Sequence, residues 1–532
     1  MMKNRWTLLL CLGAVHLGVS KAAERSPQET AAFEQKLVSV VPSERQYAWQ
    51  RKHDVYAFIH FGPNTFTGRE WGTGTESPSV FQPTALDARQ WAGALKSAGM
   101  TMAVLTVKHH DGFCLWPSRY TEQSVKNSPW KDGKGDVVRE FVDAVRAEGL
   151  EVGIYLSPAD LFQLEHPNGY YGNGSPAVDS VIPTDPASFQ SNPLIPRPAP
   201  REGFGAGVTY RCRVDDYNRY FLNQLYELLT EYGPVAEVWF DGAVPKTKGG
   251  QKWALREWTE LIRLLQPQAV IFNRGPDIRW AGNESGTARE IEWSVIGLDK
   301  PLEEFEWPDM TDPVLGARDR LAKAAALHWY PAEANTSILP GWFYHNDNHM
   351  KTPEELMDLY ERSVGRNASF ILNIPPDKRG LFTEPAVATL KAFGELRQTR
   401  YGQNLAVGAT ASSASFLPDH PPSAAVDGDY ETWWEAATTS SADGPVMLHI
   451  TLPRQVTFRR IVLQEQIRRS QRVEAFFVEA KGPDGRWTKL AEAATIGYKR
   501  ILAVPETSTT ELRIHFVMYR VAPTLASVEL YY

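Results

Sequence analysis

The chain has 532 residues, 43% of them hydrophobic and 11% aromatic, which is more than one ordinary domain and enough apolar material for large cores. A formal net charge of −7 excludes the basic footprint of a nucleic-acid binder, and past the N-terminus no run is apolar and long enough to insert in a membrane. Seventeen Trp and twenty Tyr supply core volume and also faces on which sugar rings stack.

Lys3 and Arg5 precede an apolar run over 6–19, and Ala22-Ala23 follow. A basic start, a short apolar stretch and small residues at a cleavage zone read as a secretory signal peptide over 1–23, so the mature protein is expected to be secreted or periplasmic. Cleavage leaves only Cys114 and Cys212, one disulfide at most.

From about 45 to 375, short apolar strands alternate with amphipathic helices. The first strand, 56–61, reaches His60. A helix over 87–98 stops at Gly99. Strand 102–107 runs into Lys108-His-His-Asp-Gly112, and a helix capped by Asp136 closes at Gly149. Strand 151–156 follows. The segment 159–212, rich in Pro, Gly, Asn and Ser, reads as a long functional loop. Helix 215–232 leads to 235–242, Val-Ala-Glu-Val-Trp-Phe-Asp-Gly, a buried strand ending in the carboxylate Asp241. Further strands are expected at 269–272, 291–295, 325–330 and 368–374. This repeated alternation predicts an α/β chain folded as a (β/α)8-like barrel, irregular where helices are hard to find, over 24–400. After a helix at 386–396 the texture changes to alternating strands with turns such as Pro483-Asp-Gly485, which predicts an all-β sandwich over 401–532.

In such a barrel the C-terminal strand ends carry the chemistry. His60, His109, His110, Tyr155, Asp241 and Arg274 all fall there. Each has a plainer reading: a strand-ending Asp caps helices or starts turns, and buried histidines are often simply hydrogen-bonded. His109-His110-Asp111 is also compatible with a metal site, although neighbouring histidines on one strand would point to opposite faces. For a second carboxyl, Glu284 lies in a Gly-flanked loop between aromatics, with Glu290 and Glu292 as rivals that Arg289 could pair instead. Two carboxyls amid Trp and His are the equipment of a glycoside hydrolase.

Six motifs in order, His60-Phe-Gly62, Glu70-Trp-Gly72, Lys108-His-His-Asp-Gly-Phe113, Gly153-Ile-Tyr155, Val238-Trp-Phe-Asp241 and Ile371-Leu-Asn-Ile-Pro375, resemble the α-L-fucosidases of glycoside hydrolase family 29. Asn273-Arg-Gly275, Trp280-Ala-Gly-Asn-Glu284, Trp329-Tyr-Pro-Ala-Glu333 and Gly341-Trp-Phe-Tyr-His345 resemble the subgroup that cleaves α-1,3 and α-1,4 fucose from branched, Lewis-type glycans. The resemblance implies a retaining exo-fucosidase acting on fucosylated oligosaccharides or glycoconjugates without a catalytic cofactor. Asp241 would be the nucleophile and Glu284 the acid/base, about 5–5.5 Å apart. His60, Glu70, Trp71, His109, His110, Tyr155, Trp239, Arg274 and Trp342 would bind the sugar. The tail, through Asn404-Leu-Ala406, Ala425-Val-Asp-Gly-Asp429 and Thr432-Trp-Trp434, resembles a discoidin (factor 5/8 C-type) module. That likeness implies a structural calcium held by Asp427, Asp429 and Thr432, and Gln464-Glu-Gln-Ile467 with Gln471-Arg-Val473 resemble the form of the module attached to this subgroup, for which packing on the barrel and glycan binding are the two alternatives. A silent carbohydrate-binding protein and a His-based metal-dependent hydrolase are the competing functions.

Overall fold

The computed structural model describes residues 27–185, 207–245, 250–438 and 444–532. The expected signal peptide and residues 186–206 of the long loop lie outside this set. Eight parallel strands form one nearly closed barrel: β1 (Val55–Ile59), β2 (Met102–Lys108), β3 (Glu151–Leu156), β4 (Glu237–Trp239), β5 (Val270–Phe272), β6 (Arg279–Trp280), β7 (Ala332–Ser337) and β8 (Ala368–Asn373). Their order in space, β5-β4-β3-β2-β1-β8-β7-β6, is their order in sequence taken round a circle. The circle closes at a single parallel bridge between Phe272 and Ile278. β1, β2 and β8 are buried at every residue, as strands covered on both faces must be.

Helices α1 (Ala88–Ser97), α2 (Val137–Ala147), α3 (Asp216–Glu231) and α4 (Leu255–Leu265) connect the first five strands, and α5 (Pro353–Ser363) connects β7 to β8. The Asp87 and Asp136 carboxylates accept from the Arg89 and Arg139 amides, satisfying donors at the starts of α1 and α2. Gly99 and Gly149 take left-handed φ values of 68° and 72° just past the helix ends. No helix separates β5 from β6, which is where the barrel departs from regularity.

Two expectations need correction. The runs at 291–295 and 325–330 are not barrel strands: Val295–Leu298 and Ala326–Trp329 pair antiparallel as a separate ribbon between β6 and β7. The run 235–242 yields only three strand residues, so Asp241 lies two residues beyond β4.

Helix α6 (Glu384–Tyr401) closes the barrel's outer layer, and antiparallel strands follow it. Two long strands, β10 (Val446–Gln464) and β12 (Arg500–Tyr519), pair along their length and bend at register shifts near Thr451–Val456 and Phe458–Arg460. β9 (Thr410–Ser412) and β13 (Ser527–Tyr531) flank β10, and β11 (Val473–Lys481) flanks β12. Their alternating buried residues, Leu448, Ile450, Ile461, Leu512, Ile514 and Phe516 among them, make a second core. The sandwich docks on the barrel through main chain as well as side chains. The Ile501 amide donates to Gly365 O at 3.0 Å, the Asn367 amide donates to Lys499 O at 3.0 Å, and Arg460 bonds Glu361. Cys114 and Cys212 are both free thiols.

Candidate active site

The C-terminal strand ends converge on one cavity of about 230 Å3. β1 brings Phe58 and His60, β2 brings His109 and His110, and β3 brings Tyr155. β4 brings Trp239 and Asp241, β5 brings Phe272 and Asn273, and β6 brings Trp280 and, four residues on, Glu284. Glu70 and Trp71 arrive from the loop after β1, Asn335 from β7 and Trp342 from the loop after it. A cavity at the opposite barrel end, lined by Arg45, Trp49, Arg146 and Glu151, has no such convergence of aromatics and carboxyls.

Asp241 is held on both oxygens. Tyr155 donates its hydroxyl to Oδ2 at 2.9 Å, and the Ala243 amide donates to Oδ1 at 2.8 Å. His110 Nε2 lies 3.6 Å from Oδ2, while its Nδ1 is 2.7 Å from Ser157 Oγ. A one-quarter exposed carboxylate fixed this way leaves a defined face open to the cavity. Burial lowers the proton affinity of all three histidines, His60 to about 3, so each is a neutral ring. His60 Nδ1 rests on Asn373 Oδ1 at 2.9 Å, and Asn373 in turn donates to Ser337 Oγ and Trp342 O. His109 Nδ1 is buried with no hydrogen-bond partner among the described residues.

His109 and His110 do not point to opposite faces. They follow the last residue of β2, in a turn where the Gly112 amide donates to His109 O at 3.0 Å, and their rings lie 4.2 Å apart on one cavity wall. The period-two rule stops where the strand stops. Asp111 turns away from them: its Oδ1 accepts from the Phe113 amide, and burial pushes its carboxyl up to about 7.

Glu284 also lines the cavity, at its solvent-exposed side. Burial raises its proton affinity, a hydrogen bond from Trp342 works against this, and the charges of Asp241 and Glu70 raise it further. Trp342 is itself pinned: its amide donates to Glu70 Oε2 at 2.9 Å, and its carbonyl accepts from Asn373 Nδ2 at 2.8 Å. Glu70 Oε1 meets His345 Nε2 at 2.6 Å. The rival carboxyls are spent elsewhere. Glu292 is buried between Arg279 and Arg289, and Glu290 pairs with Arg366 and with Arg500 of the sandwich.

Arg274 does not line this cavity. Its guanidinium donates to Gly242 O at 2.8 Å and Trp307 O at 3.0 Å, bracing the chain beside Asp241 from behind. Asp309, absent from the sequence reading, does line it and accepts from Asn273 Nδ2 at 2.9 Å. It lies in an irregular stretch with no periodicity to mark it. Asn335, also missed, accepts from Trp280 Nε1 at 2.9 Å.

Among the described residues, no three His, Cys, Asp or Glu side chains converge as metal ligands. In the sandwich, Thr432 Oγ1 lies 2.7 Å from Asp427 Oδ2 and 2.9 Å from Asp429 O, so three oxygens of the kind calcium prefers meet in one turn. The Asp429 carboxylate points out of this group and accepts from the Glu431 amide. Also among the described residues, no helix is long and apolar enough to cross a membrane.

A parallel barrel with two carboxyls facing one aromatic-walled cavity at its C-terminal end defines a glycoside hydrolase. The α-L-fucosidase family model matches residues 37–400 and the F5/8 type C model matches 408–527, so the chain belongs to the α-L-fucosidases of glycoside hydrolase family 29. It is 35% identical over 468 residues to α-L-fucosidase 1 of Arabidopsis thaliana, covering 87% of this chain and 81% of that one. Among solved structures it resembles SpGH29, with a TM-score of 0.77 and 34% identity over 92% of this chain and 98% of that one. It also resembles a Ruminococcus gnavus GH29 fucosidase in complex with fucose, with a TM-score of 0.76 and 29% identity over 92% and 95% of the two chains.

Proposed function

We propose that this α-L-fucosidase is a retaining exo-enzyme that removes terminal α-1,3- and α-1,4-linked L-fucose from branched glycans by double displacement. The observation that carries the reading is the pairing of two unlike carboxyls across one cavity. Asp241 is fixed by Tyr155 and the Ala243 amide beside a strand end, whereas Glu284 stands on a loop where burial favours its protonated form. Asp241 Oδ attacks the anomeric carbon while Glu284 gives its proton to the departing glycosidic oxygen. A covalent fucosyl-Asp241 ester results. Glu284, now a carboxylate, takes a proton from water, which attacks the same carbon and releases Asp241, so the α configuration returns after two inversions.

The three neutral histidines and Tyr155 present hydrogen-bonding groups to sugar hydroxyls, and Trp71, Trp239 and Trp342 present apolar faces to the C5 side of a deoxy sugar. A cavity of about 230 Å3 suits a single terminal residue. Linkage preference rests on the likeness of the 280–284 and 341–345 segments to the branched-glycan subgroup. Early-time proton NMR of the released sugar tests the mechanism: α-fucose is expected first, and β-fucose as first product would overturn double displacement. Parallel hydrolysis of a Lewis-type trisaccharide and a 2′-linked fucoside tests the preference, with faster release expected from the former.

Export through a cleaved leader over 1–23 suits an enzyme for extracellular or periplasmic glycans. Asp427 Oδ2, Asp429 O and Thr432 Oγ1 would hold a calcium ion as a brace for the sandwich loop, with no part in the reaction. Calcium should raise the melting temperature of chelator-treated protein and leave the rate per folded molecule unchanged.

A further inference from the structure

Under the sugar cavity, inside the barrel, two glutamates meet with no arginine or lysine bonded to either among the described residues. Glu237 of β4 and Glu333 of β7 have no solvent-accessible surface, and their carboxyls are in hydrogen-bond contact with each other. The surrounding donors divide unevenly. Glu333 accepts from Trp239 Nε1 at 3.0 Å on Oε1 and from the Tyr56 hydroxyl on Oε2. Glu237 accepts from Trp49 Nε1 at 2.9 Å on Oε2, the Tyr56 hydroxyl reaches it as well as Glu333, and its Oε1 is buried with no donor among the described residues. Two carboxylates cannot both ionise in contact in a dry interior.

We infer that Glu237 and Glu333 share one proton, carried by Glu237 and donated to Glu333, and that the anionic Glu333 is a positioning residue that aims the Trp239 indole forming the cavity floor. Glu333 is offered a donor on each oxygen, as a carboxylate can use, while the Glu237 oxygen without a donor is the one that needs a hydrogen of its own. Trp239 is then fixed from three sides. Its ring stacks on Phe272 at 4.2 Å and on Tyr155 at 5.2 Å, and its nitrogen is tied to Glu333. Because Tyr155 in turn bonds Asp241, the buried pair is linked through packed rings to the reacting carboxylate. The titratable groups facing the pair are Tyr56 and the two carboxyls themselves, and burial raises the proton affinity of both glutamates.

The same isosteric change should therefore have opposite consequences at the two positions. In Glu237→Gln the amide donates where the hydroxyl did, so fucoside kcat/KM should stay within about threefold of the parent. In Glu333→Gln a three-fold acceptor becomes partly a donor facing Tyr56 or Trp239, so kcat/KM should fall by roughly tenfold or more, with KM carrying part of the loss. Infrared difference spectra of the intact enzyme supply a readout independent of activity and folding yield. At about pH 9, above the ordinary carboxyl range, the parent should retain a protonated-carboxyl C=O band that Glu237→Gln lacks. Absence of that band in the parent, or equal losses of activity in the two folded variants, would overturn the assignment. If Glu333→Gln does not fold, the band and Glu237→Gln decide alone.

Discussion

Tyr155 donates its hydroxyl to Asp241 Oδ2 at 2.9 Å, joining the end of β3 to a carboxylate two residues beyond β4. Both strands are rigid members of one sheet, so the phenol fixes the carboxylate in the position from which it faces the cavity. Tyr155 is fully buried, and its proton affinity is raised by burial first and then by the Asp241 charge, so it remains a donor at any working pH. Tyr155→Phe keeps the ring stacked on Trp239 and removes this bond together with the hydroxyl's contact with Ser157. Hydrogen bonds to charged groups contribute about 1.5–3 kcal/mol, so kcat/KM should fall roughly 10- to 100-fold with little change in melting temperature. Steady-state kinetics on an aryl fucoside check this.

His60 makes folding stability depend on pH in a defined direction. Its folded-state affinity is depressed from 6.5 to about 3 by burial. Between these values the unfolded chain binds a proton that the folded chain does not, so the group's contribution is complete above pH 6.5 and is lost as pH falls through that window. At pH about 5 the loss amounts to about 2 kcal/mol. His60→Gln, whatever its stability at neutral pH, should show a smaller drop in unfolding free energy between neutral pH and pH about 5. Denaturant titrations at the two pH values measure the difference.

The sandwich grips the limb of the loop that carries Glu284. Gln471 donates to Glu292 O at 3.0 Å and accepts from the Ser294 amide at 2.8 Å. Arg500 donates to Glu290 O at 2.8 Å and to its carboxylate at 2.6 Å, and Arg520 stacks on Trp293. Cutting two of these ties in Gln471→Ala/Arg500→Ala should cost about 2–4 kcal/mol of stability. It should also slow an oligosaccharide fucoside more than an activated aryl fucoside, because the second needs little help from a positioned acid. Equal loss on both substrates would mean that the sandwich supports folding alone.

Most of this was readable in advance because buried parallel strands announce themselves as apolar runs. Val55–Ile59, Met102–Lys108 and Ala368–Asn373 did so, and the polar residues just past the first two are the cavity wall. Two barrel strands gave no such signal. Arg279–Trp280 is two residues long, and Ala332–Ser337 reads Ala-Glu-Ala-Asn-Thr-Ser, polar because its inward side chains serve the buried pair and the cavity rather than a hydrophobic core. The runs at 291–295 and 325–330 are as apolar as barrel strands, but the ribbon they form lies outside the barrel, where Ile296, Leu298 and Tyr330 bury with Phe305 and Trp307 in a side cluster. Arg274 was placed in the pocket on strand position, but its direction depended on the Gly242 and Trp307 carbonyls, which no local pattern reveals. Among the three loop glutamates, the choice fell to arginines at 279, 289, 366 and 500, two of them distant in sequence.

The most direct test of the paired-carboxyl mechanism is the leaving-group dependence of Glu284→Gln, measured as kcat/KM on a natural oligosaccharide and on an activated aryl fucoside. A general acid contributes about 10²- to 10⁴-fold when the leaving group is poor and little when it departs unaided. The variant should therefore lose at least two orders of magnitude on the oligosaccharide while keeping most of its rate on the aryl substrate, and added azide should trap the fucosyl-enzyme of Glu284→Ala as α-fucosyl azide, the second inversion falling to azide in place of water. Asp241→Ala should be silent on both substrates. Equal losses on the two substrates for Glu284→Gln, or the leaving-group signature and azide adduct appearing instead in Glu290→Gln or Glu292→Gln, would contradict the assignment of the acid.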